Sequence, residues 1–362
     1  MQSILDMMIR SEYYEPIIAL TMMDIEKNLT RDCQRTLMAD FHRHFEPMGV
    51  QCVDAFDIKT GDYIPLSAYT PDIVWYQQPW HVHEIQSPVA ASKFALTCYV
   101  PYFVQNYGGL DMDCLTLFHR ELWRHFTLNQ QWADVFMREQ DATGGRAGEV
   151  VGMGHPILDQ IAGFVNCKGR REYVIYAPHW SCDTSERFST FLENGEKMLK
   201  LARQHPEIKW VFKPHPSLRD TLINYCNWSC TRVDYYYASW EALGLVCYSG
   251  DYAEIFKHSR AMITDCASFL VEYACTGRPL IRLVSPNARY SPHPISAKLF
   301  ETYYQAHDWN EFMAQFNEVV MGGKDSKRDE RLAAVREMRL CDTRAAKNIL
   351  DYLAGVFSCK AK

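Results

Sequence analysis

The 362-residue sequence lacks several features, and each absence removes a class of function. No apolar run reaches the roughly 18–20 residues a helix needs to cross a bilayer. The first residues, MQSILDMMIRSEYYEP, carry acidic side chains within an amphipathic helical pattern, unlike a signal peptide. Charge of one sign is nowhere concentrated, and a net charge of −6 without a basic stripe argues against nucleic acid as a partner. The 13 cysteines are odd in number, and no Cys-x-x-Cys occurs among them. They therefore read as reduced, small apolar residues of a cytoplasmic protein.

The absence of a G-x-x-x-x-G-K-[ST] loop and of a G-x-S-x-G elbow disfavours P-loop NTPases and the usual α/β hydrolases. Gly152-Met153-Gly154-His155 lacks the third glycine of a dinucleotide fingerprint, yet still brings a glycine turn, with Gly154 and His155, toward a cleft. His81-Val82-His83-Glu84 offers metal-ligand types without a third ligand spaced to complete a site, so no metal is expected. Repeats and low-complexity tracts are also absent.

What remains is a chain 48% apolar and 23% charged, long enough for two domains. Short apolar runs alternate with helical segments, the pattern of open α/β sheets. In the first half, strands are expected at Ile17–Leu20, Val50–Phe56, Ile73–Tyr76, Phe94–Val100 and Glu149–Met153. A long helix is expected from Asp24 to Phe45, and a helical region from Asp111 to Gln140. The half begins with a helix, Ser3–Ser11, where an α/β domain begins with a strand. The first strand is apparently missing, either supplied from elsewhere or lost by truncation. A polar segment, Asn166–Arg171, suggests domains of residues 1–168 and 169–362. The second half reads as strands at Tyr173–Pro178, Trp210–Lys213, Ala261–Thr264 and Pro279–Val284. Its helices include Asp251–His258 and one opened by Ser268, and further helices occupy Ile295–Phe357.

Three of these strands end in polar groups: APHWS, KPHP and TDCAS. In a parallel sheet all strand C-termini share one edge, where α/β folds bind ligands. His179, Lys213, His215, Asp265 and Ser268 are therefore expected together. Lys213 would neutralise phosphate, and His215, with proline on both sides, would donate to it or act as acid or base. The turn Asp265-Cys266-Ala267-Ser268 delivers the chain to a helix N-terminus suited to phosphate, or Asp265 only caps that helix. Arg278 is either a further phosphate ligand or a surface charge.

YVIYAPHW, KWVFKPHP and YAEIFKHSRAMITDCASFLVEYACTGRPLI resemble the CDP-glycerol glycerophosphotransferase family, which builds teichoic acids and related capsular polymers. DIVWYQQPW, LTCYVPY and GMGHPILDQI resemble segments of its N-terminal half. The resemblance implies a GT-B fold, two Rossmann-like domains with parallel sheets facing a central cleft, the acceptor side N-terminal and the nucleotide side C-terminal. It implies transfer of glycerol phosphate or a similar polyol phosphate from a CDP-activated donor, with release of CMP. The acceptor would be a hydroxyl of a cell-wall or capsule polymer or of a lipid-linked molecule, at the cytoplasmic face of the membrane. The donor is a substrate, and no cofactor is implied.

On that model His215 and His179 are catalytic, and Lys213, Asp265, Cys266, Ala267, Ser268, Glu272 and Arg278 bind the donor. Two departures stand out. The family's N-terminal tryptophan-histidine-glycine-threonine motif is replaced by a segment containing Tyr99, which leaves His179, His155 or another group as the base. Ala267 replaces the first serine of a pair. A nucleotide-sugar glycosyltransferase and a non-catalytic GT-B module are the competing readings.

Overall fold

The computed structural model describes the chain except residues 25, 109–115, 162, 168–170, 183–186, 248–251, 341–343 and 360–362. The expected boundary at 168/169 and the expected helix start at Asp251 lie outside the described residues. The chain forms two compact units. Unit 1 comprises Met1–Val104, Asp111–Asp159 and Arg344–Lys362, and unit 2 comprises Gln105–Leu110 and Gln160–Thr343. The division thus falls at Asp159, and the last helix belongs to unit 1, not to the C-terminal half as read from sequence.

Unit 1 opens with helix Gln2–Ile9, followed by β1 (Ile17–Leu20), parallel to β2 (Gln51–Asp54). The long helix expected from Asp24 is a short 3-10 turn, Glu26–Asn28, and a separate helix, Arg31–Phe45. Thr30 makes the break: its Oγ accepts from the Cys33 N–H at 3.3 Å, a side-chain N-cap. The small hairpin of β3 (Phe56–Asp57) and β4 (Asp62–Tyr63) follows. A four-stranded parallel sheet then runs β5 (Ile73–Tyr76), β6 (Leu96–Tyr99), β7 (Arg124–Thr127), β8 (Glu149–Gly152), in that spatial order. The apolar side chains of this sheet and of helix Gln2–Ile9 close on the returning helix Ala345–Cys359, with Ile4, Cys98, Phe126, Ile349 and Leu353 in one cluster. Asp159 fixes that helix by accepting from the N–H groups of Ala345 and Ala346, both at 2.9 Å.

Unit 2 carries one six-stranded sheet: β9 (Tyr173–Ala177), β10 (Lys209–Phe212), β11 (Leu245–Val246), β12 (Ser259–Thr264), β13 (Leu280–Leu283) and β14 (Tyr304–Ala306). Every pairing is parallel, and the spatial order is β11-β10-β9-β12-β13-β14. Numbered within the unit this is 3-2-1-4-5-6, the doubly wound dinucleotide-type order, whose direction of winding reverses between β9 and β12. The strands are apolar on both faces, as burial between helix layers requires. Trp210, Phe212, Tyr236 and Trp240 fill one side against helices Phe191–Gln204 and Cys230–Glu241.

Candidate functional site

The reversal between β9 and β12 opens the crevice where such sheets take ligands, and the polar strand ends gather there. β9 leads into Pro178-His179, β10 into Lys213-Pro214-His215, and β12 into Asp265-Cys266-Ala267-Ser268. The rings of His179 and His215 lie side by side, centroids 5.3 Å apart. The His215 N–H donates to the Pro178 carbonyl at 3.0 Å, binding the two strand ends together.

Both imidazoles are oriented by their own backbones. The Nδ1 of His215 accepts from the Ser217 N–H at 3.1 Å, and that of His179 from the Ser181 N–H at 3.2 Å. Ser181 Oγ also lies 2.7 Å from His179 Nδ1 while accepting from the Phe188 N–H, so its own proton goes to the imidazole. An Nδ1 that accepts is unprotonated, which places the proton of each neutral ring on Nε2. Burial lowers the pKa of His215 to about 4, with Lys213 adding to the effect. It holds that of His179 well below the usual imidazole range, with His215 adding to the effect. The site therefore presents two neutral imidazoles as Nε2–H donors.

Lys213 is 4% exposed, its ammonium 5.9 Å from the centre of the Tyr252 ring and 5.7 Å from that of Phe269. Burial lowers its pKa. Glu272, on the helix after the β12 turn, is buried nearby and accepts from Tyr252 Oη. Burial raises its carboxyl to about 8, so Glu272 neutralises Lys213 only in part at neutral pH.

Asp265 is a clamp. Its Oδ1 accepts from the His179 N–H at 2.6 Å, and its Oδ2 from the Thr190 N–H at 2.5 Å and Thr190 Oγ at 2.9 Å. Burial raises its pKa to about 6 against these donors. The capping reading fails as well, because the carboxylate faces the loop after β9 and not the helix Phe269–Ala274. Cys266 stays within the turn instead: its Sγ lies 3.2 Å from Ser268 Oγ. Ala267 and Ser268 are the partly exposed residues of the turn.

Several expected site residues lie elsewhere. Arg278 precedes β13, so it stands at the N-terminal edge of the sheet, opposite the crevice. It is 1% exposed and donates to the Phe256 and Lys257 carbonyls, closing the end of helix Ala253–His258. It is neither a surface charge nor at the ligand edge. His155 is a strut within unit 1: Nε2 meets the Pro101 carbonyl at 2.9 Å, Nδ1 accepts from the Ile157 N–H at 3.4 Å, and burial lowers its pKa to about 3. With both nitrogens engaged it offers no base. Tyr99 is 3% exposed, packed against Phe118, His119 and His125. Gly154 has φ +92°, and a Cβ there would meet the Ala345 Cβ at 2.9 Å, so it seats the last helix. His83 stacks on Tyr63 and accepts from the Ile85 N–H at 3.4 Å.

One residue at the crevice edge escaped the sequence reading. Arg282 on β13 pairs with Thr264, the last residue of β12. It is 8% exposed, its guanidinium over the rings of Tyr107 and Phe300, with Gln305 Oε1 at 3.4 Å. Among the described residues no carboxylate pairs with it. Its only sequence signal was a charge inside an apolar strand.

A parallel sheet of this order, with its polar strand ends at the reversal, is a doubly wound α/β sheet, and the fold is GT-B. Similar solved structures are the Staphylococcus aureus MnaA–UDP complex (12% identity, TM-score 0.58, 98% of this chain and 92% of that one) and the UDP-GlcNAc 2-epimerase from Neisseria meningitidis bound to UDP-GlcNAc (12%, 0.55, 98% and 95%). A variant of the wall teichoic acid polymerase TagF also matches (11%, 0.52, 86% and 78%). The chain belongs to the CDP-glycerol:poly(glycerophosphate) glycerophosphotransferase family, whose pattern matches residues 157–355, more than half of its length. It is therefore a transferase of that family. No curated protein matches it.

Proposed function

We propose that the protein transfers a glycerol-phosphate or closely related polyol-phosphate unit from a CDP-activated donor to a hydroxyl of a polymer or lipid-linked acceptor, releasing CMP. The observation that carries this reading is the His179–His215 ring pair at the β9/β12 crevice, inside the family-matched span. The acceptor hydroxyl oxygen attacks the β-phosphorus and gives its proton up to solvent, a new P–O bond forms, and the bond to the CMP oxygen breaks. Such a transfer depends on positioning and charge stabilisation more than on covalent help.

The two Nε2–H groups suit a diphosphate that gains negative charge on its leaving oxygen. Neutral donors at a low-dielectric edge stabilise that charge without having to lose a proton first. Lys213 and Arg282 add positive charge, and among the described residues neither forms an ion pair with a carboxylate. In this scheme His179 is a donor and not the base, since its Nδ1 is engaged by Ser181. Among the described residues no helix is long and apolar enough to cross a membrane, so a lipid-linked acceptor would be met from the membrane surface.

The test is to incubate the protein with CDP-glycerol, CDP-ribitol and a panel of nucleotide sugars and to identify the nucleotide released. CMP from a CDP-polyol supports the proposal. UDP, GDP, or CMP from a CMP-sugar replaces it with glycosyl transfer. Tight binding of CDP without release of any product replaces it with a binding module.

A further inference from the structure

Residues 105–108 precede the family-matched span, yet they pack within unit 2. Tyr107 forms an antiparallel bridge with Pro292, the Gly108 N–H donates to the Ser291 carbonyl at 2.9 Å, and the His293 N–H donates to the Asn106 carbonyl at 3.0 Å. The Tyr107 ring is 2% exposed, 4.8 Å from Phe188 and 5.3 Å from Phe300 between centroids. This short segment is fixed by backbone bonds on one side and aromatic packing on the other. It holds the Asn106 side chain, 2% exposed, with Nδ2 2.6 Å from the Ala267 carbonyl.

That carbonyl belongs to the peptide joining Ala267 to Ser268. In a trans peptide the C=O and N–H point in opposite directions, so the bond from Asn106 to the Ala267 carbonyl also sets where the Ser268 N–H points. Without it the peptide can rotate and turn its carbonyl, a negative dipole end, toward the crevice.

We infer that Asn106 is a positioning residue for the donor: it acts through the Ala267–Ser268 peptide to hold the turn after β12 in the form that accepts an anionic diphosphate. The inference rests on the donor chemistry proposed above. It also assigns to the segment before the family-matched span a part in the nucleotide site.

The test uses the full chain carrying Asn106→Asp, which keeps the shape of the side chain but removes its donor and sets a charge against the Ala267 carbonyl. Hydrogen exchange of the amides at Cys266–Phe269 is read in nucleotide-free protein. Thermal melting, and kcat and KM with CDP-glycerol, are read beside it. The expected result is a folded variant with faster exchange in the turn, a donor KM raised about tenfold or more, and kcat within about twofold of the parent. Unchanged exchange with unchanged KM overturns the inference. So does a lowered melting temperature with unchanged KM, because that marks a purely structural bond, and so does a fall in kcat alone. If Asn106→Asp does not fold, Asn106→Ser, too short to reach the carbonyl, is judged by the same outcomes. Should the parent protein neither turn over CDP-glycerol nor bind CDP, the donor reading fails, while the exchange measurement still decides whether Asn106 holds the turn.

Discussion

The backbone N–H of His179 donates to Asp265 Oδ1 at 2.6 Å, across the seam where the winding of the sheet reverses. Thr190 closes the other side of the same carboxylate with its N–H and its hydroxyl. The loop carrying His179 and Ser181 is thereby tied to the end of β12, and the imidazole direction depends on a carboxylate from another strand.

Asp265→Asn keeps the shape but turns an NH2 group toward N–H donors that need an acceptor. An expected loss of about 2–4 kcal/mol follows from leaving buried donors unsatisfied, measured by urea unfolding. Thr190→Val, which removes the hydroxyl alone, should cost about 1 kcal/mol. Equal stability of parent and Asp265→Asn would show that the carboxylate is not the clamp described.

His215 and Arg278 make a paired test of the two sheet edges. His215→Ala should abolish turnover while the melting temperature changes little, since the side chain is only partly buried. Arg278→Met should lower stability by about 2–3 kcal/mol through loss of its bonds to the Phe256 and Lys257 carbonyls. Its donor KM should stay within about twofold of the parent. Near-normal turnover by His215→Ala would remove that residue from the reaction.

Acid should loosen unit 1. Burial lowers His119 to about 4 and His155 to about 3, both from 6.5. Between those values and pH 6.5 the unfolded chain binds the protons that the folded chain refuses. Their contribution is thus complete above pH 6.5 and lost as pH falls toward the folded values, about 3 kcal/mol for His119. Melting temperature should drop steeply from pH 6.5 to 4.5, and His155→Gln, which keeps a donor toward the Pro101 carbonyl, should flatten the slope.

Glu272 has the opposite sign. Its carboxyl is raised from 4.5 to about 8, so the folded state holds a proton that the unfolded state has released. Stability falls as pH rises from about 4.5 to 8 and is level above that. Glu272→Gln, still able to accept from Tyr252 Oη, should be more stable than the parent at pH 9 and show a smaller change between pH 6 and 9. A parent and variant with parallel pH profiles would contradict the raised carboxyl.

Strands with long apolar runs were legible in sequence: IIAL, IVWY and YVIYA fall where their side chains predict. β7 was not, because RHFT offers one strongly apolar residue and stands among aromatics spaced as on a helix; β14 is only three residues between helices. The convergence of His179, Lys213, His215 and Asp265 followed from strand ends in a parallel sheet. Arg278 reads in sequence as a phosphate ligand or a surface charge, and only its place before β13 and its bonds to the Phe256 and Lys257 carbonyls reveal the opposite edge and a buried role. The roles of Asn106 and Asp159 were invisible, since each acts on a segment 161 to 187 residues away. At three of the four His-Pro steps, His155, His215 and His293, Nδ1 accepts the N–H two residues on, whereas at His205 Nδ1 meets the Glu207 carboxylate at 2.8 Å, so the step alone does not set the tautomer.

The return of helix Ala345–Cys359 to unit 1 affects how the chain matures. Ile349 and Leu353 complete a cluster begun by Ile4 and Phe126, so the half that is synthesised first cannot close its core until residues beyond 344 have been made. Unit 2 needs nothing past Thr343, and its sheet can be finished while unit 1 still exposes an apolar face. Contacts of such long sequence separation form slowly and leave partly folded chains open to aggregation. Released chains truncated after residue 343 should therefore hold a protease-resistant unit 2 beside a unit 1 that chaperones still bind.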